Sequence, residues 1–324
     1  MNRRRIGNTG VHVTDVAFGC SAIGNLYKLV SEQDVSQVLQ LAWDRGIRYF
    51  DTAPHYGRGR SELRLGRFLK GRDRQSYVVS TKVGRLLSPG ETLDQADGFI
   101  APLPMAVRYD YSGDGIEAAF EQSCARLGTS YIDILYVHDI GRLTHGARHG
   151  VHMADLLGTG IDRLQWLKQA GRIGAFGLGV NENEVCLEVM AAAELDVILL
   201  AGRLTLIDRS AEEALVARCR KSNTSLVLGG IFNSGILATG PVPDAVFDYK
   251  PATPHMLEKA RLLQSRAESF GVPLATAALR YAMTHPAVIS VLLGTAQTRS
   301  LIRNLDAIYA PWPEGGDAIF DPLG

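Results

Sequence analysis

Four side chains that could together move a proton and orient a carbonyl oxygen stand at or just past the ends of short apolar runs: Asp51, Tyr56, Lys82 and His138. Asp51 and Tyr56 share Asp51-Thr52-Ala53-Pro54-His55-Tyr56-Gly57. Lys82 lies in Ser80-Thr81-Lys82-Val83-Gly84, and His138 in Leu135-Tyr136-Val137-His138-Asp139. A phenol titrates near ~10 in water and is a poor acid or base at neutral pH. A neighbouring ammonium favours the phenolate, so Lys82 is expected to lower the Tyr56 pKa. Asp51 suits the carboxylate that keeps a buried ammonium paired. His138 suits an imidazole that orients or polarises a substrate oxygen. Such a set serves carbonyl/alcohol interconversion. Taken singly, each residue reads as an ion pair or a packed histidine. Their placement at successive strand ends favours a shared site.

The elements that must position them alternate strand and helix along the chain. Short apolar runs rich in β-branched residues predict buried strands over 16–19, 49–51, 77–82, 132–138, 175–179, 197–201, 225–229 and 288–292. Helical periodicity falls at 33–45, 61–69, 115–127, 161–170, 182–193, 211–221, 255–270, 273–284 and 298–308. Ser31 is placed to cap the first helix and Pro273 to sit at a first helical position. Gly46, Gly128 and Gly171 follow helix ends. Eight βα units predict a single-domain (β/α)8 TIM barrel over residues 1–324, an α/β fold, with a hairpin around Asn8-Thr9-Gly10 at its floor. Two long loops, 84–114 and 139–160, follow the third and fourth strands, on the face where barrel enzymes carry their sites.

Composition excludes several classes. Lys+Arg and Asp+Glu are both 34, so no basic surplus points to nucleic acid. No long apolar run predicts a membrane span. No apolar stretch follows Arg3-Arg4-Arg5, so no secretory signal is expected. Four scattered cysteines suit free thiols in a cytoplasm. His145, His149 and His152 crowd the second long loop and are expected to be solvated there, with no metal. Trp43 and Trp166 are expected to pack.

The stretch Asp51-Thr52-Ala53 with Tyr56-Gly57, the pair Ser61-Glu62, Thr81-Lys82, and Ser123 with Arg126-Leu127 and Tyr131-Ile132-Asp133 resemble the aldo-keto reductase family over essentially the whole chain. The resemblance implies a catalytic tetrad of Tyr56, Lys82, Asp51 and His138, with the tyrosine as proton donor. Gly7-Asn8-Thr9-Gly10, Tyr109-Asp110-Tyr111-Ser112, Gly179-Val180-Asn181-Glu182, Leu200-Ala201-Gly202-Arg203 and Phe232-Asn233-Ser234-Gly235 resemble a narrower subgroup. It holds D-threo-aldose (L-fucose) 1-dehydrogenases, pyridoxal 4-dehydrogenase and plant L-galactose dehydrogenase. The expected reaction is oxidation of a cyclic hemiacetal to a lactone with Tyr56 accepting the proton. An aldose is the first substrate reading and pyridoxal the alternative. A general aldehyde or ketone reductase and a nicotinamide-binding regulatory subunit are further alternatives. A Schiff-base aldolase on Lys82 is disfavoured by the adjacent Asp51.

No G-x-G-x-x-G follows a first strand, so the cofactor is expected on the barrel's own phosphate site, after strands seven and eight. The resemblance implies contacts from Gly19, Asp51, Asn181, Gly230, Phe232, Asn233, Gly235, Gly294, Thr295, Ala296, Ser300 and Asn304. Asn181 would replace a Ser-Asn pair, and Ala201 stands where relatives carry Gln. Ser300 occupies a position where NADP-preferring relatives often carry Arg, which favours NAD, with NADP as the alternative. Phe99, Tyr109 and Tyr111 are candidates for the substrate wall, or for filling the loop's own core.

Overall fold

The computed structural model describes residues 1–322. Eight strands close into a parallel barrel: β1 (Val16–Gly19), β2 (Tyr49–Asp51), β3 (Val78–Val83), β4 (Ile132–His138), β5 (Ile173–Val180), β6 (Val197–Ala201), β7 (Ser225–Gly229) and β8 (Val288–Leu293). Each pairs with its neighbour in chain order, and β8 returns to β1. Around them run α1 (Glu32–Asp44), α2 (Arg60–Leu69), α3 (Gly113–Leu127), α4 (Ile161–Gln169), α5 (Asn183–Ala192), α6 (Ala214–Ser222), α7 (Pro254–Ser269), α8 (Leu274–Thr284) and α9 (Thr298–Ile308). β4 shows why the pattern reads as a buried strand: all seven residues are buried. Its one carboxylate, Asp133, is met by Arg74 at 2.5 Å and by the Val79 amide at 2.8 Å.

The barrel floor is closed by the expected hairpin, in which Arg3–Arg5 pairs antiparallel with His12–Thr14. Ile6, Val11 and Val13 pack under Ala17, Tyr49, Ile134 and Tyr136 inside the barrel. Ser31 caps α1 as expected, accepting the Asp34 amide at 3.1 Å. Pro273 lies one residue earlier than expected: it is the extended cap of α8, with ψ 142°. β3 and β5 extend past the expected limits, and α6 starts at Ala214 rather than Ala211.

Neither long loop is structureless. The first contains an antiparallel ribbon, Arg85–Pro89 against Met105–Tyr109, standing at the mouth. The second coils into short helices, Arg142–His145 and His149–Asp155, then a π-helical turn over Leu156–Gly160 that runs on into α4. The expectation of solvated histidines there is overturned: His149 and His152 are buried. His149 bonds the Ile140 carbonyl and Glu188, and His152 packs at a tilt on His145 with 4.3 Å between ring centroids. The segment folds inward because its aromatic and imidazole faces pack together. Trp43 packs against Phe50 and under the Arg48 and Arg72 guanidiniums, whereas Trp166 is half exposed on α4.

The β2–α2 connection carries Tyr56 and is pinned by a backbone contact. Gly57 has φ +65°, and a Cβ there would strike the Gly24 carbonyl oxygen. A non-glycine residue would meet both the left-handed penalty and a collision with main chain that cannot rotate away. Gly57→Ala is expected to lower the unfolding free energy by about 2–4 kcal/mol, read from urea denaturation.

Candidate active site

Lys82 organises the mouth of the barrel. Its ammonium, 2% exposed, donates to Asp51 Oδ2 at 2.7 Å, the Thr52 carbonyl at 2.8 Å and Tyr56 Oη at 3.1 Å. Three N–H bonds thus meet three acceptors, which is what a buried ammonium requires. Asp51 also accepts Ser80 Oγ at 2.7 Å, and Ser80 continues to Tyr49 and Tyr136 inside the barrel. These bonds arise from register: Asp51 on β2 pairs with Ser80 on β3, two residues before Lys82.

His138 ends β4 with its ring 6.1 Å from that of Tyr56, centroid to centroid, at an interplanar angle of 87°. The same mouth holds two groups that sequence reasoning missed. His55 sits 5.8 Å from the His138 ring and 5.3 Å from Phe99. Arg85, 5% exposed, donates to His138 Nδ1 at 2.9 Å and to Asp139 Oδ2 at 2.9 Å. The only signal for His55 was its adjacency to Tyr56. Arg85 followed Gly84 in a stretch that read as loop. A cavity of about 470 Å³ opens here, lined by His55, Arg58, Arg85, Leu93, Val107 and Tyr109. Phe99 is buried against Tyr56, Tyr109 lines the cavity, and Tyr111 is core, donating to the His138 carbonyl at 2.8 Å.

Electrostatics correct one expectation. Burial pushes the Tyr56 phenol up to about 12, and Lys82 only partly offsets it. The lowered phenol expected from Lys82 alone is therefore not found, because desolvation of the phenolate outweighs the ammonium. Burial also pulls the Lys82 ammonium down, but Asp51 and Tyr56 prevail and hold it above its ordinary value. Burial raises Asp51, against the pull of Lys82 and Ser80. His138 is held well below its ordinary value by burial and then by Arg85, Lys82 and His55, and His55 falls to about 3 for similar reasons. At neutral pH the mouth thus carries a protonated phenol, a paired ammonium and two neutral imidazoles.

The other expected contacts surround this centre. Gly19 ends β1 close to Gly294, past β8: a Cβ on either would come within 3.7 Å of the other's backbone. Gly230, φ +60°, brings its backbone against Gly202. Phe232 precedes the short turn Asn233–Gly235, and Asn181 lies past β5 with its carbonyl bonded by Arg203. The Asn233 side chain is partly engaged: it accepts Thr205 Oγ1 at 2.5 Å and donates to the Gly202 carbonyl at 2.9 Å. It braces the β6 and β7 loops, with one N–H and one lone pair of the amide left over. α9 begins without a side-chain cap, leaving first-turn amides around Ser300 unpaired by one, and Asn304 lies one turn on. A cleft of about 350 Å³ adjoins it, lined by Lys28, Val30, Asp34, Ala296, Thr298 and Arg299. An uncapped helix N-terminus beside such a cleft fits the phosphate-bearing end of a nucleotide.

The Aldo/keto reductase family model matches residues 15–314. The chain is 40% identical over 314 residues to pyridoxal 4-dehydrogenase of Microbacterium luteolum, covering 94% of this chain and 92% of that one. It is 33% identical over 312 residues to D-threo-aldose 1-dehydrogenase of a Pseudomonas species, with 94% and 92% covered. It is 28% identical over 310 residues to L-galactose dehydrogenase of Arabidopsis thaliana, with 94% and 87% covered. Among solved structures, an aldo-keto reductase of Bacillus halodurans in its holo form shares the fold at 24% identity. Its TM-score is 0.77, over 99% of this chain and 95% of that one. The chain belongs to the Aldo/keto reductase family and is an oxidoreductase acting on CH–OH groups.

Two stability outcomes follow from the site. Lys82→Met leaves Asp51 buried and unpaired, and is expected to cost about 3–5 kcal/mol in denaturant titration. The histidine pKa values are depressed on folding, so the unfolded chain binds protons that His55 and His138 refuse. Their contribution is complete above about pH 6.5 and is lost as pH falls below it, at about 1.4 kcal/mol per pH unit for each group. Denaturation midpoints measured from pH 7.5 to 4.5 check this, and His138→Gln should flatten the slope by one proton.

Proposed function

We propose that this family member oxidises a cyclic hemiacetal to its lactone, with Tyr56, Lys82, Asp51 and His138 as its working groups and NAD as the preferred cofactor. The observation that carries the reading is the Lys82 ammonium bonded at once to Asp51, Thr52 and Tyr56, next to His55, which lines the open cavity. The hydroxyl of the hemiacetal carbon sits against Tyr56 Oη and His138. His138 orients that oxygen. Tyr56 takes its proton as the carbon loses hydride, and Lys82 stabilises the phenolate. The nicotinamide, when bound, accepts that hydride.

The cavity favours the pyridoxal type of hemiacetal over the open polyol face of an aldose. His55, Tyr109, Leu93 and Val107 offer flat or apolar walls to an aromatic ring, while Glu91 and Asp97 balance the charges of Arg58 and Arg85 around it. The 40% identity to a pyridoxal 4-dehydrogenase supports the same choice. NAD is favoured over NADP by Ser300, which stands where NADP-preferring relatives often carry Arg.

A screen at 340 nm with pyridoxal, L-fucose, D-arabinose and L-galactose, each with NAD and NADP, tests the reading. Pyridoxal with NAD is expected to give the highest kcat/KM, and the reading fails if no hemiacetal is oxidised. A phenol held above the assay pH must lose its proton before it can accept one. The oxidation rate is therefore expected to rise about tenfold per pH unit from pH 7 to 9. Tyr56→Phe should lose at least about 100-fold in kcat, with little change in cofactor affinity. A flat profile, or activity retained in Tyr56→Phe, would point to another base.

A further inference from the structure

We propose that Arg85 is a positioning residue that holds His138 as the neutral imidazole carrying its proton on Nε2. His138 then meets the substrate oxygen as a hydrogen-bond donor throughout the working pH range. A guanidinium has five N–H donors and no acceptor, and it does not deprotonate in proteins. Its Nη1 lies 2.9 Å from His138 Nδ1, so Nδ1 must be the acceptor. The single proton of a neutral imidazole is then on Nε2.

The surroundings are arranged to keep the guanidinium there. Gly84 has φ +100°, and a Cβ on it would overlap the Tyr111 ring. This turn brings Arg85 back to the barrel mouth instead of out along the ribbon. Asp139, the residue after His138, holds a left-handed backbone with φ +45°. Its carboxylate reaches Arg85 Nη2 at 2.9 Å, while its amide donates to the Gly179 carbonyl at 3.0 Å. Tyr111 donates to the His138 carbonyl from the other side. A strained non-glycine residue, a glycine and a buried tyrosine thus converge on one guanidinium–imidazole contact.

The groups that face His138 come from every neighbouring element: Arg85 from the ribbon, Lys82 from β3, His55 and Tyr56 from the loop after β2, and Asp139 and Tyr111. Three of them are cations or imidazoles that oppose its protonation. Asp139 Oδ2 lies 3.4 Å from Nε2, with no hydrogen bond between them, and is already engaged by Arg85. The Nε2 proton is therefore left for a ligand. His138 can neither take the substrate proton through Nδ1 nor gain charge at mildly acid pH, and the base role falls to Tyr56 alone. This last step rests on the proposed function; the tautomer does not.

Nitrogen-15 NMR of the histidine-labelled protein tests it without substrate, with the His138 signals assigned from His138→Gln. The wild type is expected to show an unprotonated Nδ1 and a protonated Nε2 from pH 8 to 5. Arg85→Lys, which keeps a charged donor, should retain that pattern. Arg85→Met should mix the tautomers, because Nδ1 loses its fixed donor, while burial, Lys82 and His55 still oppose protonation. Its kcat/KM should fall about 10–100-fold, through kcat, with unchanged cofactor affinity. A protonated Nδ1 in the wild type overturns the proposal even if Arg85→Met does not fold. So does an Arg85→Met protein with an unaltered tautomer. If the spectra agree but no hemiacetal is oxidised, the substrate reading fails and the role of Arg85 stands.

Discussion

A buried ammonium sets the terms for the rest of the molecule. Lys82 lies where water cannot solvate it, so its charge is tolerable only with three acceptors in place. Each acceptor belongs to the chain just before or after the end of β2: the Asp51 carboxylate, the Thr52 carbonyl and the Tyr56 hydroxyl. The barrel must therefore hold β2 and β3 in one register, and the following loop in one path. Carboxylate–ammonium pairing inside proteins often adds little net stability, because desolvation offsets the Coulomb gain. What the pair supplies here is placement. It fixes a phenol that would otherwise swing on two rotatable bonds.

The motifs that made the sequence resemble a family turn out to be largely the frame of that placement. Ser61 bonds Thr52 Oγ1 at 2.8 Å and the Cys20 carbonyl at 2.8 Å, tying α2 to β1 and to the Tyr56 loop. Glu62, fully buried, accepts Thr81 Oγ1 and Arg126 Nε, each at 2.6 Å. Thr81 precedes Lys82, so α2 and α3 both grip the strand that carries the ammonium. Buried polar networks of this kind hold one geometry when every member is satisfied. Motifs spread over 80 residues are thus one structure in space.

The fold was legible because parallel strands buried on both faces read as continuous apolar runs, as in β4. The positions of Asp51, Tyr56, Lys82 and His138 were legible because strand ends in a barrel share one mouth. What sequence does not carry is desolvation and side-chain orientation. Lys82 beside Tyr56 argued for a lowered phenol, yet burial reverses the sign. Asn233 had the residue type for a ligand contact, but nothing in the sequence shows that its amide also braces Thr205 and Gly202. The three histidines after β4 looked solvated in a glycine-rich stretch, but His145 and His152 turn onto Tyr111 and His149 onto the Ile140 carbonyl and Glu188. Arg85 was hidden for the same reason. Nothing in a loop sequence shows that a glycine with φ +100° will turn its neighbour toward an imidazole.

The protonation states of the mouth bear on the direction of the chemistry. A phenol at about 12 beside an ammonium held above its ordinary value is a filled proton store. As it stands, it is ready to give a proton to an alkoxide, which is the reductive direction. Oxidation requires the store to be emptied first, and His138 and His55 are poor receivers because both are held neutral by burial and surrounding cations. One charged pair, placed to orient Tyr56, thus serves both directions with the same geometry. The balance between them is set by whatever changes the charge above the phenol. A cation bound near Tyr56 would add to the effect of Lys82 and oppose desolvation, whereas an uncharged ligand would leave desolvation dominant. The site therefore couples the proton affinity of Tyr56 to the charge of what occupies the mouth, and Lys82 is the fixed reference against which that change is felt.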